Sequence, residues 1–316
     1  MFVPQEAFRV FKKRELCGLV LDYCDLKVAG QTFQDINTWQ ANWLIWRNHG
    51  YEQPVWDSAV QYGRRIVDHA AFPSDSGFEA VFHFRVGDSV ALQGTRLALE
   101  CPELYEVFVN DQSVDLSQGA RWLDPHLMSF PVGNLLRTGE STVRVVGAPF
   151  GVLMELENIY LLGDFSIQPE SKGFSIQAPV GLHLGSWAKQ GRPFYSDNVL
   201  YETSVVVPGH ARELKVSLPA WAGSVVEVLL DGKRVQVIGW KPHVCEFAAE
   251  PGRHIVGVRI ISTPRNLFGP FHDPAKLRTI GWPGSWTKFP EHQPPGAEYD
   301  VVDYGLFEAF TVEALS

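Results

Sequence analysis

Clustered positive charge is what this chain has least of. Its 27 Lys and Arg stand against 36 Asp and Glu, a formal net charge of −9, and the longest basic run is Lys12-Lys13-Arg14. Neutralising a phosphate backbone takes clustered cations, so nucleic acid is excluded as a partner. Long apolar runs are also missing. No stretch reaches the 18 apolar residues of a membrane-spanning helix, and no membrane partner is expected. The opening MFVPQEAFRVFKKRELCG has no apolar core followed by a small-residue cleavage site. As written, the chain is expected in the cytoplasm; as a fragment of a longer enzyme it would be periplasmic or secreted. Cysteine is scarce as well. Cys17, Cys24, Cys101 and Cys245 form no CxxC and no zinc quartet, and they read as reduced, mostly buried thiols. Neither H-E-x-x-H nor H-x-H occurs, so no cofactor is expected, with a structural calcium between strands left open. The nucleophile elbow G-x-S-x-G is absent too, which lowers a Ser-His-Asp reading.

Apolar residues make up 45% of the 316, enough for two cores of ordinary size. The most informative feature is a loose internal repeat at a spacing of about 117 residues. RLALECPELYEVFVNDQSV, RWLDPHLMSF and GESTVRVVG form one copy. ELKVSLPAWAGSVVEVLLDGKRV, GWKPHVCEF and GRHIVGVRI form the other. Pro102 answers Pro219, Pro125-His126 answers Pro242-His243, and Phe130 answers Phe247. Each copy is a series of short alternating runs broken by Asn110-Asp111 or Asp231-Gly232, which is a hairpin pattern. The fold class expected is therefore mostly β: two tandem antiparallel β-sandwiches of jelly-roll type, at 75–168 and 174–316.

Residues 1–74 have a different texture and read as an α/β lead-in, short for an independent domain and expected to pack on the first sandwich. GLVLDYCDLKV alternates as a strand. NTWQANWLIWRNHG places Trp39, Trp43 and Trp46 on one face of a helix that Gly50 stops, and this stripe is read as core. DSAVQYGRRIVDHAA, with Ser58 and Gln61 as a capping box, predicts a second helix.

The strings LVLDYCDLKVAG, ELYEVFVNDQSV, MELENIYLLGDFSI, NVLYETSVVVP and RNLFGPFH resemble a known family. It is the tandem galactose-binding-like β-sandwiches at the C-terminal end of large bacterial glycoside hydrolases. Family 2-like enzymes and α-L-rhamnosidase-like enzymes are the nearest in pattern. NVLYETSVVVP followed by VEVLLDGKRV and NLFGP carries most of the resemblance, which covers nearly all of residues 15–310. The resemblance implies sugar recognition, with the catalytic carboxylates on a (β/α)8 barrel elsewhere. No stretch of about 250 residues with eight βα units exists here. The chain is thus expected to be a carbohydrate-recognition or accessory part of a glycoside hydrolase, partnered by a glycan or oligosaccharide and by a catalytic barrel domain or subunit. Two alternatives stay open: a self-sufficient glycosidase with carboxylates in an inter-sandwich cleft, and a structural protein–protein module.

Hydrolysis of a glycosidic bond needs two carboxyls about 5–10 Å apart, which sequence alone cannot pair, so the catalytic residues stay unassigned. Glu155 and Glu157 read as one solvated strand face before a turn at Gly163-Asp164. Sugar recognition needs an aromatic face with polar groups beside it. Two Gly/Pro-rich segments offer that mixture. One contains His183, Trp187, Arg192 and Tyr195; the other contains Trp282, Trp286, Glu291 and His292. The competing expectation is that these rings plug the gap between the two sandwiches.

Overall fold

The computed structural model describes residues 9–12, 17–52, 54, 72–273 and 283–315. In chain order its strands begin with β1 (Arg9–Lys12), β2 (Cys17–Leu21), β3 (Tyr23–Val28) and β4 (Gln31–Asn37). Helix α1 (Thr38–Asn48) comes next, then β5 (Phe78–Val86), β6 (Arg96–Glu100), β7 (Glu106–Val109) and β8 (Gln112–Ser113). The run continues with β9 (Ala120–Trp122), β10 (Asp124–Pro131), β11 (Gly139–Gly147), β12 (Ile159–Gly163), β13 (Ser166–Pro169) and β14 (Phe174–Gln177). Beyond these lie β15 (Asn198–Val207), β16 (Glu213–Ser217), β17 (Trp221–Ala222), β18 (Val225–Leu230), β19 (Lys233–Ile238), β20 (Val244–Ala248) and β21 (Gly252–Ile261). A single-turn helix α2 (Arg265–Phe268), β22 (Gly305–Leu306) and β23 (Thr311–Leu315) complete the order. The expected mostly-β, antiparallel sandwich fold is what forms.

The chain divides into two compact units. The first comprises residues 1–15, 180–269 and 301–316; the second comprises 16–179 and 270–300. In the first unit, one sheet runs β1-β15-β21-β18-β19 and a second β20-β16-β23, and β17 pairs with β22 in a two-stranded ribbon. Their inner faces share one core, with Tyr201, Val228 and Val258 from one sheet and Leu214, Val216 and Val312 from the other. Alternation explains it: β15 is buried at every second residue, as a strand with one face inward must be.

In the second unit, one sheet runs β2-β12-β6-β10-β9 and the other β13-β14-β5-β11-β7-β8, with β3 bridging β4 and β5. β5 and β11 alternate, whereas β2 (CGLVL) and β12 (IYLLG) are buried at every position. A continuous apolar run of that kind marks a strand covered on both faces.

The internal repeat is a repeat of topology and of register. Leu97 faces Phe130 across β6 and β10, and Leu214 faces Phe247 across β16 and β20. Cys101 donates its backbone N–H to His126 O at 3.0 Å, and Leu218 donates to His243 O at 3.0 Å. The hairpin dipeptides behave as their composition predicts. Asn110-Asp111 have φ of 48° and 63°, and Asp231-Gly232 have 49° and 77°. Positive φ at both central positions is the turn whose twist matches paired strands.

In the lead-in over 1–74, β2 pairs with β12 and β3 with β5, strands of the sandwich expected at 75–168. The observed division differs from the expected one farther along the chain. Residues 270–300 group with the second unit and not with the sandwich expected over 174–316. Open sheet edges recruit whatever strand can satisfy them, however distant in sequence. Helix α1 forms where the spacing predicts, capped by Asn37, whose side chain accepts from Trp39 N. Its buried face is Thr38, Ala41, Asn42, Ile45 and Trp46, so Trp46 alone of the three tryptophans is core. Trp39 and Trp43 are half-buried, and Arg47 lies over the Trp43 ring at 5.1 Å. The helix predicted around Ser58 and Gln61 lies outside the described residues. Glu155 and Glu157 sit in a loop before β12 and not on a strand face.

The repeat gives an internal contrast for packing. Phe130 is buried and its counterpart Phe247 only partly so. Phe130→Ala should lower stability by about 3–5 kcal/mol and Phe247→Ala by clearly less, measured by denaturant unfolding.

Candidate functional site

Two places gather polar chemistry beside aromatic rings. The first is in the second unit, at the junction of β2 and β3. Asp22 occupies that junction and is 1% exposed. Its carbonyl accepts from Thr38 N at 2.9 Å and from Asn37 Nδ2 at 3.0 Å, which ties it to the start of α1. Its carboxylate is engaged on both oxygens: Tyr299 OH donates to Oδ1 at 2.7 Å, and His272 Nε2 donates to Oδ2 at 2.9 Å. Tyr23 and Tyr299 present ring edges to His272, with centroids at 5.8 and 4.8 Å. Tyr23 OH donates to Pro290 O, and Asp300 N to Phe271 O. Asp22 therefore joins three segments that are remote in sequence. Burial, with the Asp22 charge next in weight, pushes the Tyr299 hydroxyl well above the usual tyrosine range. Tyr23 moves the same way for the same two reasons.

Next to this network is a cavity of about 40 Å³, bounded by Asp22, Trp39, Asn158, His272, Ser285 and Trp286. Ser285 is fully buried, and its Oγ has no hydrogen-bond partner among the described residues. A space of that size admits a few waters and is far below the cavities that hold small-molecule ligands. The second buried carboxylate here, Asp273, pairs with Lys288 at 3.3 Å. Among the described residues, no three or more His, Cys, Asp or Glu are grouped to hold a metal ion.

The second place is at the loop end of the first unit, between the end of β16 and the loop from β19 to β20. Trp240 stands 82% exposed at the tip of that loop. The next residue, Lys241, lines a shallow depression of about 630 Å³ together with Ser217, Pro219, His243 and Thr311, among others. Trp221 meets His243 edge-on with centroids at 5.1 Å, which orients the imidazole. Ser217 and Thr311 are cross-strand partners, so their hydroxyls lie side by side. The corresponding place in the second unit is a pocket of about 510 Å³ with Glu100, Cys101, Glu103, His126 and Glu155. Burial, and next the nearby Asp124, raises the Glu100 carboxyl above its ordinary value.

The residues singled out from sequence fall into three groups. Trp187, Arg192 and Tyr195 are 1–2% exposed and belong to the interior of the first unit, which corrects their reading as a sugar-binding surface. Trp187 Nε1 donates to Tyr201 OH at 2.8 Å, Arg192 Nη2 to Val180 O at 3.0 Å, and Tyr195 OH to Asn198 O at 2.9 Å. The loop is also pinned through its backbone, with Gly185 N on Leu306 O and Trp187 N on Tyr304 O. A Cβ at Gly305 (φ 145°) would come within 2.3 Å of Gly185 O, so the approach needs glycine. His183 is exposed, its Nδ1 on Leu184 O at 2.7 Å. Glu291 and His292 are exposed, with His292 Nδ1 3.8 Å from Asp35, while Trp286 is half-buried against the small cavity. Trp282 lies outside the described residues. Sequence reasoning missed Asp22, His272 and Tyr299, whose approach spans some 250 residues. It also missed Trp240, for which a signal existed: a lone tryptophan in a repeat turn that no strand pattern requires.

No protein-family model and no curated protein matches the chain. Among solved structures it is similar to a β-D-mannosidase from Dictyoglomus thermophilum, at 10% identity and a TM-score of 0.30, over 78% of this chain and 31% of that one. It is similar to a rhamnosidase from Novosphingobium sp. PP1Y at 17% identity and a TM-score of 0.29, over 77% and 23%. A glycosyl hydrolase family 2 member from Bacteroides cellulosilyticus gives 8% identity and a TM-score of 0.26, over 81% and 31%. The chain thus spans less than a third of the length of these proteins. Scores at this level leave function to be argued from the chain's own geometry.

Two outcomes follow from the Asp22 network. Tyr299→Phe removes a donor to a buried carboxylate and should cost about 1.5–3 kcal/mol in denaturant unfolding. The tyrosine pKa values are raised on folding, so their contribution is fully present below about pH 10, the unfolded value, and is lost as pH rises above it. Denaturant midpoints measured from pH 8 to 11 should fall across that window, and less steeply in Tyr299→Phe.

Proposed function

We propose that this chain is a carbohydrate-recognition β-sandwich protein, an accessory part of a glycoside hydrolase system that leaves catalysis to a separate barrel domain or subunit. The observation that carries the reading is the loop end of the first unit: Trp240 is open to solvent, and Lys241, the residue after it, lines a shallow depression with two hydroxyls and an oriented imidazole. A pyranose offers an apolar face to such a ring and hydroxyls to such a rim, and an open shallow site suits a chain end or an internal sugar equally. The described residues form strands and two helices, without the alternating βα units of a catalytic barrel. His183, Glu291 and His292 remain proposed polar contacts to a glycan, and Trp286 a proposed ring at the rim of its cavity.

Stacking one sugar on an aromatic face is worth on the order of 1 kcal/mol beyond area burial, about a fivefold change in affinity. Trp240→Ala should therefore weaken oligosaccharide binding about fivefold or more in calorimetric titration. Its melting temperature should stay near that of the wild type, because an exposed ring leaves no cavity. Glycan binding unchanged in Trp240→Ala would overturn the assignment of this site. Glycoside turnover by the purified chain, abolished in Glu100→Gln, would instead make the protein a self-sufficient glycosidase with its general acid in the acidic pocket of the second unit.

A further inference from the structure

The loop-end depression of the first unit has a counterpart at the same place in the second unit, and the two differ in sign of charge. Position by position along the repeat, Lys241 stands where the second unit has Asp124, and Ser217 stands where it has Glu100. Leu218 and Cys101 make the same backbone bond to His243 and His126, so the comparison is one of structure as well as of sequence. The fold thus accepts carboxylates at this place. No acidic side chain lines the depression. Glu246 and Glu313, on the neighbouring strands, sit opposite Lys215 in register and outside the lining. Lys241 is exposed, and the described residues supply it with no ion pair. On a chain of net charge −9, Lys241 is thus an ammonium without a carboxylate partner among the described residues, and the residue before it is the 82%-exposed Trp240.

We infer that the Trp240 site takes an anionic sugar: a pyranose ring stacks on the indole, and its carboxylate or sulfate pairs with Lys241. The Ser217 and Thr311 hydroxyls and the His243 ring are left to the neutral hydroxyls of the same ligand. This inference rests on the glycan-recognition reading above and specifies the ligand class for that site. Lysine acts here as a point charge in water and not as a bidentate fork, so the preference is modest and sensitive to salt.

The test uses the whole chain and three probes of one chain length at low ionic strength: a galacturonic acid tetramer, a sulfated galactose tetramer and an unsubstituted galactose tetramer. Wild type should bind the better of the two anionic tetramers about three- to tenfold more tightly than the neutral one, and 0.5 M salt should remove most of that margin. Which anionic tetramer binds tighter identifies the charged group. Lys241→Gln should erase the preference while leaving neutral binding in place, and Trp240→Ala should weaken all three. Equal binding of charged and neutral tetramers by wild type would overturn the inference and leave sugar recognition standing. So would a preference that survives Lys241→Gln. Failure of wild type to bind any of the three would overturn both.

Discussion

The two-residue period of the strand governs this molecule. A strand with one face in a core gives every second side chain to packing and offers the rest to solvent, and both sandwiches obey that rule along β5, β11 and β15. The inner faces are spent on Val, Leu, Ile and Phe, whose burial is the main favourable contribution to folding. What remains for chemistry is the loop ends. There the chain turns without a ladder to satisfy, and a large side chain can stand in solvent without disturbing a register.

Within that constraint the two units use one plan differently. Each has a strand pair in the same register, a hairpin with two residues of positive φ, and a pocket where the same backbone bond closes the loop end. The second unit adds strands β2 to β4 and helix α1, and Asp22 fastens them to His272 and Tyr299. A carboxylate with both oxygens engaged and 1% exposure is strongly coupled to its donors, since loss of one leaves charge buried without compensation. Its geometry is that of a fastener and not of an acid–base catalyst: the cavity beside it is far too small for a reacting sugar.

Much of the fold was legible in the sequence because it rests on local patterns. Alternation, the turn dipeptides and the Asn37-capped helix are each decided within a dozen residues, and the repeat of Pro102 with Pro219 and Phe130 with Phe247 exposed the duplicated topology. The domain limits were not legible, because the pairing of β2 with β12 joins residues about 140 apart and no local signal announces it. The candidate site was half legible. Aromatic rings among Gly and Pro serve equally as a ligand platform and as a core plug, and around Trp187 and Tyr195 the plug won, through bonds to Tyr201 and Asn198. Trp240 lies in the repeat string GWKPHVCEF, but its exposure could be read only from the structure, since a tryptophan in a turn can be packed or open with the same local pattern.

Indole nitrogen–proton spectra test the central claim most directly, because the ten tryptophans report on core, cavity and loop end at once. On titration with an anionic oligosaccharide, the resonance assigned to Trp240 should shift saturably, while those of Trp46 and Trp187, both buried, hold their positions. Saturable shifts confined to Trp286, or no shift at all at millimolar ligand, would contradict the account.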